Sequence, residues 1–299
     1  MKRHILLLVT AWLATFVLHA RAAEDVAADS LKAMTWNIRY NNLGDGINAW
    51  PFRKDWVAEI INNSKADVAG FQEVLVGQFE DLKSRLPQME AYGAGRDDGK
   101  QAGEFTPIFF RKERFELVEK STFWLSPTPD QAGSKGWDAA LPRIASWVKL
   151  KVRNSDITFY VMNTHFDHLG KQARAESATL LLKVMREQFA NHPVILMGDL
   201  NTTPNSPPYD TLIGKGMQSD SIYLDTYEQS AHKPEGPDST WNGFTAIVPH
   251  QRIDFVFATK PIKVLRHQTL DERRQGRFPS DHLPVVTELQ LTTIRDEQK

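Results

Sequence analysis

Residues 193–201 read Pro193-Val194-Ile195-Leu196-Met197-Gly198-Asp199-Leu200-Asn201. The run from Pro193 to Met197 is short, continuous and apolar, as in a strand buried on both faces, and it ends in a carboxylate and an amide. Elsewhere in the chain the same pattern recurs. Further strands are expected at Leu31 to Ile38, Ala66 to Gln72, Thr106 to Phe110, Arg143 to Val152, Ile157 to Thr164, Arg252 to Ala258 and Pro284 to Leu291. Helical periodicity is clearest at Phe52 to Asn62, Val74 to Leu86 and Lys171 to Ala190. In the last of these, Leu180, Leu181, Val184 and Met185 make one apolar face, with Arg174, Glu176, Lys183 and Arg186 toward water.

The polar strand ends are Thr35-Trp36-Asn37, Phe71-Gln72-Glu73, Asn163-Thr164-His165, Asp199-Leu200-Asn201, Arg252-Ile253-Asp254 and Ser280-Asp281-His282. Each one alone has a local structural explanation. Asn37 caps a turn, Glu73 caps the helix that starts near Val74, and Asp199-Leu200-Asn201 is a turn fixed by its own side chains. Loops that follow strand ends in α/β architectures converge on one rim, however, and these residues together supply oxygen ligands for a hard cation, two imidazoles, and carboxylates to orient them. Such a set suits metal-assisted attack on a phosphate ester.

Composition narrows the classes. The chain has 299 residues, 41% hydrophobic and 24% charged, which excludes disordered, collagenous and multispan membrane proteins. It has no cysteine, so thiolate nucleophiles, zinc-thiolate sites and iron-sulfur clusters are excluded. Lys2, Arg3 and His4, the apolar run Ile5 to Leu18, and Ala20-Arg21-Ala22 read as a secretion signal cleaved after Ala22. The run is shorter than the ~20 residues of a spanning helix, so stable membrane insertion is not expected. Residues 23–299 then form a single domain, taken as a monomer and exported to the periplasm or medium. They carry 33 basic against 37 acidic side chains, a balance opposite to that of most sequence-independent nucleic-acid binders. Gly-, Pro- and Ser-rich stretches at Ser126 to Lys135, Thr202 to Pro208 and Lys233 to Asp238 read as surface loops.

The order of the motifs, and Ser280-Asp281-His282 above all, resembles the endonuclease/exonuclease/phosphatase superfamily from about Leu31 to Leu291. The resemblance implies an α/β fold, a four-layered sandwich in which two mixed sheets pack face to face with helices outside and a metal site lies at one rim. It implies Glu73, Asn37 and Asp281 as metal ligands, for Mg2+ with Mn2+ or Ca2+ as alternatives. Asp199 orients or deprotonates the attacking water and Asn201 bonds the phosphate or the nucleophile. His282 is an imidazole held by Asp254, and His165, supported by Glu104, serves the leaving oxygen. Arg143 reaches the scissile phosphate, and Arg96 either reads the substrate beyond it or pairs with Asp97 or Asp98.

Where many nucleases of the superfamily carry a carboxylate two residues after the metal amide, this chain has Arg39. That favours one metal over two and places a cation near an anionic group of the substrate. The expected substrate is accordingly a small or polar phosphate ester, such as a sugar phosphate, nucleotide, inositol phosphate or lipid head group. A secreted nuclease acting on DNA or RNA is the alternative. A binding module without catalysis would not need the complete set, and a two-carboxylate glycosidase would resist chelators and leave both imidazoles without a task. Asp167 is expected to hold its loop or touch substrate, and His168 to lie on the rim. His192, His232, His250 and His267 read as surface or structural. Trp36, Trp56 and Trp147 are expected in the core, with Trp50, Trp137 and Trp241 facing substrate.

Overall fold

The computed structural model describes residues 30–190, 192–215 and 223–291. The proposed signal at residues 1–22 lies outside them. Twelve strands are described: β1 (Ser30–Asn37), β2 (Val68–Gln72), β3 (Met89–Tyr92), β4 (Ile108–Arg111), β5 (Phe115–Trp124), β6 (Ile144–Val152), β7 (Thr158–His165), β8 (Val194–Asp199), β9 (Tyr223–Asp225), β10 (Asp254–Thr259), β11 (Ile262–Thr269) and β12 (Val285–Leu291). The main helices are α1 (Lys54–Ser64), α2 (Val76–Arg85) and α3 (Lys171–Gln188), with shorter α4 (Pro207–Leu212) and α5 (Thr226–Gln229). Helix α4 begins inside the stretch expected as a loop.

The strands form two mixed six-stranded sheets in the orders β11-β12-β1-β2-β4-β3 and β5-β6-β7-β8-β10-β9. Each sheet has a parallel pair at its centre, β1 with β2 and β7 with β8, and antiparallel neighbours on both sides. Helix α1 connects the first parallel pair and α3 the second, as parallel strands require a long crossover. The two sheets therefore repeat one plan, and the ends of equivalent strands lie at one rim.

Three apolar clusters define the layers. Leu31, Val68, Phe110, Phe159, Val161, Ile195, Val256 and Leu289 fill the space between the sheets. Trp36, Phe71 and Phe109 pack on Val57, Ile60, Ile61 and Leu82 of α1 and α2 outside the first sheet. Trp147, Tyr160, Leu196 and Phe257 pack on Leu181, Leu182 and Met185 of α3 and on Tyr209 and Leu212 of α4 outside the second. This is the expected four-layered sandwich. A buried Leu or Phe contributes roughly 1.5–3 kcal/mol, so the apolar strand runs are what hold the layers together. Among the described residues no helix is long and apolar enough to cross a membrane.

Asn163 makes the most connected polar link across the inner layer, beside the Thr106–Ser146 and Thr122–Tyr92 contacts. Asn163 of β7 donates from Nδ2 to the carbonyls of Phe71 (2.8 Å) and Pro107 (2.9 Å), and its Oδ1 accepts from Gln72 Nε2 at 2.6 Å. Gly70 makes room for it, since a Cβ there would sit 2.6 Å from Asn163 Cγ.

Candidate active site

The strand register brings the predicted residues onto one rung. In the second sheet His165 at the end of β7 pairs with Asp199 at the end of β8, and Asp199 pairs with Asp254 at the start of β10. Gly198 permits this close approach, because a Cβ there would lie 2.1 Å from the Thr164 carbonyl oxygen. In the first sheet Asn37 ends β1 beside Gln72, and Glu73 follows at once. Arg39, Glu73 and Asn201 all have left-handed backbone, at φ 57°, 59° and 47°. The chain thus turns sharply just after β1, β2 and β8, which aims these side chains along the rim. Non-glycine residues held in this region are concentrated at functional sites.

Asp199 is the junction of the two sheets. Its Oδ2 accepts from Asn37 Nδ2 at 3.0 Å and lies 3.5 Å from His165 Nε2 and 3.8 Å from His282 Nε2. Its Oδ1 accepts from the Asn201 backbone N–H at 2.8 Å, the self-fixing turn seen in the sequence. Asn37 Nδ2 also donates to Glu73 Oε1 at 3.1 Å. Glu73 Oε2 accepts from the Tyr40 backbone N–H at 3.2 Å.

His282 reaches the same point from the segment before β12. Trp36 Nε1 donates to the His282 carbonyl at 3.0 Å, and Ser280 Oγ donates to the Asn37 carbonyl at 2.7 Å, so this segment is fastened to β1. His282 Nδ1 bonds Asp254 Oδ2 at 2.8 Å. Burial disfavours a charged imidazole, but Asp254 and Asp199 overcome it and hold His282 well above the usual histidine range. It is an imidazolium at neutral pH.

His165 has the opposite character. Burial, with Arg143 and Arg96 nearby, pushes it well below the usual range. It is neutral, and Asn201 Nδ2 donates to its Nε2 at 3.0 Å, so its proton sits on Nδ1, 3.9 Å from Glu104 Oε2. Glu104 binds Arg96 Nη1 at 2.7 Å, and Arg96 lies 3.9 Å from Asp97 Oδ1. Burial raises the Glu104 carboxyl, opposed by Arg96. Arg143, 5% exposed, is held through Nε by Asp167 (3.4 Å) and through Nη2 by His168 Nδ1 (3.0 Å). Arg143 Nη1 and Arg96 Nε are buried donors without a protein acceptor. Asp199, buried and next to Asp254, is pushed up to about 7.

Asp281 comes from the same segment as His282, and its Oδ1 accepts from Ser280 Oγ at 3.3 Å. Arg39 stands between the two carboxylates, with Nη1 3.8 Å from Glu73 Oε2 and Nε 3.9 Å from Asp281 Oδ2. Two carboxylates that converge on one cation, with an amide beside them, offer the donor chemistry of a hard divalent ion. A second grouping, Asp199, Asp254 and His282, has ligand atoms that all lie within 4.8 Å of one another. There Asp254 is already engaged by the His282 ring at 2.8 Å.

These residues span nearly the whole described chain, and so does the family match, which runs over residues 34–282. The chain belongs to the endonuclease/exonuclease/phosphatase family. Members of this family are hydrolases that act on phosphoester bonds. The chain is 38% identical to a family member from Bacteroides vulgatus, with 88% of this chain and 99% of that one covered and a TM-score of 0.83. It is 37% identical to a mannosyl-6-phosphatase from Bacteroides thetaiotaomicron, with 87% and 99% covered and a TM-score of 0.81. Nocturnin of Drosophila melanogaster is 24% identical over 89% of this chain but only 47% of its own length. The chain spans about half to two thirds of such relatives.

Three supports of this family site were not read from the sequence. Arg53, 1% exposed, donates to the carbonyls of Ile38, Arg39 (2.6 Å), Asn48 (2.8 Å) and Pro279 (3.3 Å) and thereby ties the loop after β1 to the segment before Ser280. Gln78 Oε1 accepts from the Asn41 backbone N–H at 2.8 Å, and Asn163 forms the inter-sheet link. Trp50 differs from expectation. It is 2% exposed, its indole N–H donates to Asp81 at 2.9 Å, and Arg53 stacks on it, so it packs inward. Trp36, Trp56 and Trp147 are buried as expected, while Trp241 is 37% exposed and bridges to His282. Asp167 holds its loop, accepting from Leu169 (3.0 Å) and Gly170 (2.7 Å).

Proposed function

We propose that this chain is an exported, divalent-metal-dependent phosphohydrolase acting on a small polar phosphate ester, in the first place a sugar phosphate. The observation that carries the reading is the surrounding of Asp199: one carboxylate shared by Asn37 and Asn201, with His282 3.8 Å away on one hand and His165 3.5 Å away on the other. The sugar-phosphate preference is supported by likeness to the mannosyl-6-phosphatase and by the acidic balance of residues 23–299.

Glu73 and Asp281, with Asn37 beside them, would hold the cation. When bound it polarises the phosphoryl oxygens and screens their charge. Asp199 and Asn201 orient water for in-line attack on phosphorus, and Asp199 takes its proton. His282 donates from Nε2 to the departing oxygen as the P–O bond breaks, and exchange with water then removes the proton from Asp199 and restores the one on His282, since the two groups stand 3.8 Å apart. His165 Nε2 already accepts from Asn201, so in this scheme His165 positions the nucleophile side and is not the donor to the leaving group. Arg143 Nη1 and Arg96 Nε are the free donors for phosphoryl or sugar oxygens.

The test is a panel of sugar phosphates, nucleotides, inositol phosphates, bis-p-nitrophenyl phosphate, sphingomyelin, DNA and RNA, run with Mg2+ and with EDTA. The reading expects EDTA-sensitive release of phosphate from sugar phosphates. Rates on DNA or RNA far above those on every small ester would replace it with the nuclease reading.

A further inference from the structure

The carboxylates of the rim already hold one cation that belongs to the chain. Arg39 makes a two-pronged pair with Asp45, Nε to Oδ2 at 3.0 Å and Nη2 to Oδ1 at 3.1 Å, and lies over the Tyr40 ring at 4.4 Å. Asp45 is itself anchored, since its Oδ1 accepts from Asn42 Nδ2 at 3.1 Å. The Arg39 backbone is equally fixed. Its N–H donates to Asn37 Oδ1 at 3.0 Å, and its carbonyl accepts from Gln78 Nε2 (2.9 Å) and Arg53 Nη2 (2.6 Å). A guanidinium clamped from both ends does not swing away freely, and it stays charged at every working pH. Its position, 3.8 Å from Glu73 Oε2 and 3.9 Å from Asp281 Oδ2, puts a fixed positive charge against both carboxylates assigned to the metal.

We infer that Arg39 is a tethered cation that takes the place of a second divalent ion, limiting the rim to one metal per chain and weakening the hold on that one. The inference rests on the assignment of Glu73 and Asp281 as metal ligands. Electrostatics sets the direction: a fixed positive charge a few ångströms from a dication opposes its binding, and removing that charge strengthens it. Arg53 adds a second positive charge near Asp281 but spends its donors on backbone carbonyls, so Arg39 is the guanidinium that faces both carboxylates.

The experiment counts Mn2+ bound per chain by equilibrium dialysis, with free Mn2+ read by electron paramagnetic resonance. Wild type and Arg39→Lys bind one ion. Arg39→Asp binds two, and aspartate is well suited to the left-handed backbone at this position. Arg39→Gln binds one ion about tenfold more tightly, and it decides the matter if the added carboxylate prevents Arg39→Asp from folding. Two ions on wild type, or unchanged or weaker affinity in Arg39→Gln, overturns the inference. No Mn2+ on wild type overturns the metal reading itself, a separate failure visible in the same assay.

Discussion

His282 Nδ1 and Asp254 Oδ2 meet at 2.8 Å across the gap between the two sheets, one from the segment entering β12 and the other from the first residue of β10. The bond fixes the imidazole ring and its charge together. Asp254→Asn keeps the shape and removes the charge, so His282 loses its proton near neutrality. Loss of a positioned acid costs about 10²–10⁴-fold in kcat, with KM nearly unchanged. Steady-state kinetics and the NMR titration of His282 check this, and a kcat within threefold of wild type removes His282 from the proton path.

Activity should rise with pH on the acid side as Asp199 becomes a carboxylate. Burial and Asp254 push that group up to about 7, so the free enzyme is short of base at pH 6. A bound dication favours the ionised form and draws the limb downward. The alkaline limb belongs to His282, whose activity as a donor is lost only above the usual histidine range. Profiles of kcat/KM at limiting and saturating Mg2+ should therefore differ on the acid limb. An acid limb indifferent to Mg2+ would mean that Asp199 is not the base.

Eight expected strands correspond to β1, β2, β4, β6, β7, β8, β10 and β12, which are the inner strands of both sheets. The four that were not expected, β3, β5, β9 and β11, are the four edges. An edge strand is solvated along one side and needs less apolar sequence, as Glu116, Glu119 and Lys120 of β5 show. The rim was legible for a related reason: a polar residue ending a buried apolar run is conspicuous. Arg53 was not, because Trp50-Pro51-Phe52-Arg53-Lys54 reads as a solvated helix start and its acceptors are carbonyls distant in sequence. Trp50 misled because a loop tryptophan looks exposed until its partner, Asp81 of α2, is known.

Glu73→Gln and Asp281→Asn remove one carboxylate each from the proposed metal wall. Even changes beside metal ligands typically cost 10–100-fold in affinity, so loss of a ligand costs at least that much. Isothermal titration with Mn2+ measures it directly. Affinity within twofold of wild type in both variants would move the cation to the Asp199, Asp254 and His282 grouping.

Arg143→Gln removes a buried guanidinium whose Nη1 has no protein acceptor. A hydrogen bond to a charged partner is worth roughly 1.5–3 kcal/mol, about 10–150-fold in kcat/KM. Because Asp167 and His168 fix the other nitrogens, the loss should fall on substrate and on product phosphate alike. Inhibition by inorganic phosphate separates the two roles. A weaker Ki in step with kcat/KM marks a phosphate contact, whereas an unchanged Ki with a lower melting temperature marks a structural arginine.

Asn163→Ala tests whether the link between the sheets carries stability as well as order. The substitution removes the side-chain partner of the Phe71 carbonyl and of Gln72 Nε2, although the Pro107 carbonyl keeps the Phe71 backbone N–H at 3.1 Å and Gln72 keeps Thr35 Oγ1 at 3.1 Å. Each buried group left unpaired costs about 1–3 kcal/mol. Partial compensation through Thr35 and the smaller volume of alanine place the net loss at about 3 kcal/mol, a large effect for one residue. For a domain of this size each kcal/mol lowers the melting temperature by about 2–4 °C, so a drop near 10 °C is expected by calorimetry. Asn163→Asp keeps the acceptor for Gln72 but faces two carbonyls with a buried charge, and it should be worse than alanine. If aspartate is tolerated better than alanine, water reaches this layer and the link is not the dry fastening its distances describe.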